Sequence, residues 1–136
     1  MQFRRFASFI LVGSLGFVVD AAVLSLLVHV WGWGPYSARA LSFVPAVTAT
    51  WYCNRRWVFS GTKDPAREYG AYFGAQVVGA AVNLGTYVLV LAAFPVVARF
   101  PLLPLAVGSA VALVFNYTAA SRFVFATAPT GRGPRP

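Results

Sequence analysis

Four windows of about 20 apolar residues, roughly 7–29, 36–56, 70–94 and 102–121, take up most of a chain of 136 residues. About 20 residues of helix cross a hydrocarbon layer about 30 Å thick, so each window has the length of a membrane span. Hydrophobic residues make up 59% and charged residues only 10%, against about a quarter charged in soluble domains. Too little sequence lies between the windows to form a soluble catalytic domain. The sequence therefore predicts an all-α integral membrane protein with four transmembrane helices in one domain, residues 1–126. The Pro/Gly/Arg-rich segment 127–136 reads as a disordered cytoplasmic tail.

The positions of the charges set an orientation. Arg4 and Arg5 precede the first window; Arg55, Arg56, Lys63 and Arg67 separate the second and third; Arg122, Arg132 and Arg135 follow the fourth. The two opposite connections hold only Arg39 and Arg99. This bias predicts that both termini and the central loop are cytoplasmic in a multi-pass protein of the cell membrane. It also accounts for the net charge of +8 without nucleic acid. A cleaved signal peptide is not expected, because the first apolar run is long, contains Asp20 and lacks a small-x-small site. Cys53 is the one cysteine, so an intrachain disulfide is excluded and a buried packing role is expected.

The apolar pattern also repeats. Asn54-Arg55-Arg56-Trp57-Val58-Phe59 closes the second window and Ala120-Ser121-Arg122-Phe123-Val124-Phe125 closes the fourth. Gly16-x-x-x-Asp20 is answered about 63 residues later by Gly79-x-x-x-Asn83. Two parallel two-helix repeats, about 3–60 and about 68–126, are predicted, related by an axis along the membrane normal. Trp31-Gly32-Trp33-Gly34-Pro35 and Arg99-Phe100-Pro101 read as the turns within them.

Helical spacing gathers polar and small residues into stripes: Gly13, Gly16 and Asp20; Arg39, Ser42 and Thr50; Gln76, Gly79 and Asn83; Ser109 and Asn116. Such stripes serve either close helix packing or a polar lining, with Asp20, Arg39, Asn54, Gln76, Asn83 and Asn116 as the lining candidates. A carboxylate near a helix centre costs about 2.5–3.5 kcal/mol on insertion scales, so Asp20 needs a partner. Arg39 lies at the same depth. The pair either holds two helices together or takes part in gating or proton relay.

Arg55, Arg56 and Arg122 sit at the cytoplasmic ends of the second and fourth windows. They fix topology and attract anionic lipids, and guanidinium forks also suit a phosphate headgroup. Their alternation with Trp57, Phe59, Phe123 and Phe125 suggests an aromatic rim around a phosphate-binding site, since topology alone requires no repeated motif. Catalysis is not expected: the acids are Asp20, Asp64 and Glu68, the one histidine is His29, and no metal-ligand cluster or phosphate-cradling Gly-Lys loop is present. No cofactor is implied.

With these residues laid out, the chain resembles the GtrA-like family of small four-span membrane proteins over about residues 3–126. The likeness rests on Arg5-Phe6 through Gly13 and Asp20, on Asn54 to Phe59, and on Asn116-Tyr117 to Phe125. Thr50-Trp51 departs from it, where the family often has Asn and an aromatic residue. The resemblance implies a part in cell-surface polysaccharide synthesis: flipping of polyprenyl-phosphate-linked sugar to the outer leaflet for glycosyltransferases. A chain this short makes a thin wall for such a path, so a homo-oligomer in contact with membrane lipids is expected. A non-transporting adaptor that recruits a membrane glycosyltransferase, and a small proton-coupled exporter using Asp20, are the alternatives.

Overall fold

The computed structural model describes residues 2–100 and 102–126, which form helices and short connections with no strand among them. The expected tail, 127–136, lies outside the described residues. Helix α1 spans Gln2–Ser25 and runs into a π-helical turn, Leu26–Val30. Helix α2 spans Pro35–Cys53 and ends in a second π-turn, Asn54–Val58. Helix α3 is Pro65–Ala93, followed by a 3₁₀ turn, Pro95–Arg99. Helix α4 is Leu102–Ala119, with a terminal π-turn at Ala120–Val124.

Local chemistry sets these boundaries. Gly32 takes φ +68° between α1 and α2, a left-handed conformation that costs glycine little. Pro35 then opens α2, where its missing N–H has no intrahelical partner to lose. Asp64 caps α3 by accepting from the Arg67 amide at 3.1 Å, and Pro65 takes the first helical position. At the far end, Pro95 disfavours helical geometry at Phe94, which adopts φ −132° and ψ 74° and ends α3.

Among the described residues, three helices are long and apolar enough to cross a membrane: Phe3–Val30, Pro65–Ala93 and Leu102–Val124. The second, Pro35–Val58, is the more polar one, carrying Ser37, Arg39, Ser42, Thr48, Thr50 and Asn54. Large apolar side chains such as Leu11, Phe17, Leu89 and Leu102 stand exposed around the bundle, as expected where hydrocarbon replaces water.

Helices α1 and α2 form one close antiparallel pair, and α3 and α4 another. Small residues make the approach possible. A methyl group on Gly16 would strike Thr50, and one on Gly79 would strike Asn116. Gly108 lies against Asn83, whose Oδ1 would be 2.5 Å from an added Cβ. The buried core gathers at the end where α1 and α3 begin and α2 and α4 finish: Phe9, Val12, Val47, Cys53, Val58, Phe59, Tyr72, Ala120, Val124 and Phe125.

Contacts recur there between residues displaced by 63 positions in α1 and α3, and by 66 in α2 and α4. Phe6 meets Tyr117 edge-on at 5.0 Å, and Tyr69 meets Trp51 at 5.2 Å, both with ring planes 78° apart. Phe9 packs on Phe59 at 6.2 Å as Tyr72 packs on Phe125 at 5.9 Å. Each π-turn closes alike, the Phe59 amide donating to the Asn54 carbonyl at 2.8 Å and Phe125 to Ala120 at 2.9 Å.

One expectation is corrected here. Phe59 and Phe125 are not rim residues; they are buried, 9% and 5% exposed, and stack on each other. The extra residue in each π-turn shifts the helical register, and only Trp57 and Phe123 of the four aromatics are left exposed.

Candidate functional site

The antiparallel arrangement brings the start of α1 beside the ends of α2 and α4, so basic residues from three parts of the sequence share one end of the bundle. A cavity of about 460 Å³ opens there, lined by Arg5 from α1, Phe59 and Ser60 after α2, and Tyr117, Thr118, Ser121, Arg122, Phe125 and Ala126 from the end of α4. Its lining holds two guanidinium groups, several hydroxyls and an aromatic floor, and no carboxylate. A smaller recess of about 220 Å³, lined by Arg4, Arg5, Ser8, Trp57 and Val58, lies alongside and shares Arg5. Guanidinium forks with rotatable hydroxyls are the donor set that oxygen-rich anions such as phosphate require.

The structure separates the three arginines singled out by the sequence. Arg122 lines the larger cavity and is exposed. Arg56 is also exposed. Arg55 is committed elsewhere: its guanidinium donates to Glu68 at 2.6 Å and to the Thr62 carbonyl at 3.0 Å, and lies over the Trp51 ring at 5.9 Å. A methyl group on Gly61 would collide with it. The expectation that Arg55 stands ready for substrate phosphate is therefore corrected, because an internal carboxylate already neutralises it.

Glu68 was not among the expected site residues, yet its side chain is fully buried. It accepts from Trp51 Nε1 at 3.0 Å and from the Thr62 amide at 2.5 Å as well as from Arg55. Its scarcity was the available signal: one of three acids in the chain, beside the most basic loop. Arg5, Ser60, Tyr117, Thr118 and Ser121 were also missed as lining residues. Only the contact of chain ends far apart in sequence makes them neighbours.

The lining candidates fall into separate interhelical contacts. Asp20 is buried between α1 and α2, where it forms an ion pair with Arg39 and accepts from Ser42 Oγ at 2.6 Å. At the equivalent place between α3 and α4, Asn83 packs against Gly108. Asn54 donates to Tyr72 Oη at 2.8 Å, and Asn116 donates to Gln76 Oε1 at 3.4 Å. The Oδ1 atoms of Asn54 and Asn116 are buried without a partner among the described residues. Asp20 lies 14 residues beyond Phe6 on α1, so its cluster sits about 21 Å along the helix from the basic end.

Helices clad in exposed apolar side chains, with a basic cavity at one end, define a multi-pass membrane protein. Residues 8–125 match the family model described as the GtrA/DPMS transmembrane domain. The chain belongs to this family. No match was found among curated proteins. Membership ties the chain to polysaccharide or lipid-linked-sugar biosynthesis.

Proposed function

We propose that the protein carries polyprenyl-phosphate-linked sugar from the cytoplasmic to the outer leaflet of the cell membrane, where glycosyltransferases use it. The observation that carries this reading is the cavity holding Arg5 and Arg122 over Phe59, Phe125 and Tyr117. It offers two cations to a phosphate, and apolar helix faces lie beside it for the polyprenyl chain. The family supports the substrate class. The protein acts as a carrier and not as an enzyme.

In this reading all four helices span the bilayer as two parallel repeats. The four-residue connection Trp31–Gly34 sends α2 back along α1, where Asp20 is buried against Arg39 and Ser42. The paired contacts at 63 and 66 residues support the duplication, and the charge bias supports cytoplasmic termini. The basic cavity then faces the cytoplasmic leaflet. A homo-oligomer encloses the path that one short chain leaves open to lipid.

The test is translocation of a polyprenyl-phosphate sugar in proteoliposomes containing only this protein. Acceleration over protein-free vesicles is expected, reduced at limiting substrate in Arg122→Ala and kept in Arg99→Ala, whose site is at the other end. No acceleration by folded protein would replace transport with recruitment of a glycosyltransferase.

A further inference from the structure

The two repeat-related helix ends are chemically unequal. On one side, Trp51, Arg55 and the Thr62 amide surround the Glu68 carboxylate with three N–H donors. Shifting by 66 residues along α2 and by 63 along α3 carries Trp51 to Tyr117, Arg55 to Ser121, Arg56 to Arg122 and Glu68 back to Arg5. All four of those residues line the 460 Å³ cavity. The ring contacts Tyr69–Trp51 and Phe6–Tyr117, equal in distance to 0.2 Å and in angle, fix this correspondence in space.

One side therefore contains an anion supplied by the chain, bound as a carboxylate is bound in a receptor. The other has a cation where that carboxylate would be, a serine where the arginine would be, and open volume. Its formal charge is +2 from Arg5 and Arg122; the occupied side carries +1 from Arg55, Arg56 and Glu68. Charge-assisted hydrogen bonds to a carboxylate and to a phosphate use the same donors, so Glu68 shows what the fold accepts at such a place.

We infer that Glu68 is a tethered anion that fills one of two related sites, leaving the Arg5–Arg122 cavity as the single phosphate-group site of each chain. This rests on the reading of the protein as a handler of phosphate-linked lipids and names the residues that give it one site and not two.

The test is binding to the full chain in nanodiscs of zwitterionic lipid, titrated separately with farnesyl phosphate and inorganic phosphate and followed by calorimetry and thermal shift. One equivalent per chain is expected for the wild type. Arg5→Glu places a second tethered carboxylate and should abolish binding; Arg122→Ala should weaken it about tenfold, the equivalent of one charge-assisted hydrogen bond. Glu68→Ala, which removes both the charge and the side chain that fills the site, should admit a second equivalent and make the melting temperature respond more strongly to the probe. Binding of farnesyl phosphate alone identifies a lipid headgroup as the occupant, and equal binding of both probes identifies a free phosphate group; either supports the site. Unchanged binding in Arg5→Glu, or one equivalent only in folded Glu68→Ala, would overturn the assignment. Should Glu68→Ala fail to fold, Arg5→Glu, altered at an exposed position, decides the matter. Binding of one equivalent with no translocation would remove the transport reading alone; translocation that survives Arg5→Glu would remove this assignment alone.

Discussion

Phe59 stacks on Phe125 with ring centroids 4.9 Å apart and planes 6° from parallel, joining the end of α2 to the end of α4. Each ring is also held within its own helix pair, Phe59 by Phe9 and Phe125 by Tyr72. This contact fixes the floor of the basic cavity and links the two helix pairs.

Phe59→Ala should therefore destabilise the bundle by about 3 kcal/mol, the lower end of the cost of emptying a buried aromatic position. Phe123→Ala, two residues from Phe125 and 78% exposed, should leave stability unchanged. Thermal melts of the two variants in the same detergent check this. Equal melting temperatures would mean that the stack carries no stability.

Gly79 and Asn116 set the spacing of α3 and α4. Gly79→Ala should cost about 1–3 kcal/mol, the range for overfilling a packed interface. Combining it with Asn116→Ala should recover most of that loss, because the added methyl then meets open space. A double-mutant cycle on melting temperatures measures the coupling. Simple additivity would show that the close approach at Gly79 is not what limits the spacing.

The Asp20–Arg39 ion pair predicts an asymmetry between two substitutions. Arg39→Leu leaves a buried carboxylate without its cation and should cost about 2.5–3.5 kcal/mol, the insertion cost of an unpaired acid. Asp20→Asn should cost less, since Arg39 is 63% exposed at its side chain and an amide still accepts from Ser42. The double substitution reproduces the pair that α3 and α4 carry 63 and 66 residues on, Asn83 and Leu105, and should recover much of the single Arg39→Leu loss. Folded yield and melting temperature of the three variants test the order. A double variant as unstable as Arg39→Leu would show that the guanidinium contributes packing, not charge compensation.

Some of this was legible without coordinates. Apolar runs as long as a bilayer is thick, a sided distribution of arginines and an echo between Asn54–Phe59 and Ala120–Phe125 are properties of a linear string, and they were enough for helices, membrane and family. The stripe Arg39, Ser42 and Thr50 was visible too, and with it Arg39 as a partner for Asp20, although that Ser42 also meets Asp20 of α1 was not, because burial of Asp20 and Ser42 depends on which helix face meets which. The fates of individual side chains lay beyond the sequence for the same reason. Arg55 and Arg122 read alike, yet one faces a carboxylate 13 residues on in the next helix and the other faces open volume across from Arg5. Phe59 and Phe125 read as surface aromatics until the π-turns rotated them onto each other. What the chain could bury was decided by its composition; which charges were left free to meet a ligand was decided only by packing, since neutralisation acts over a few ångströms and takes no account of distance along the chain.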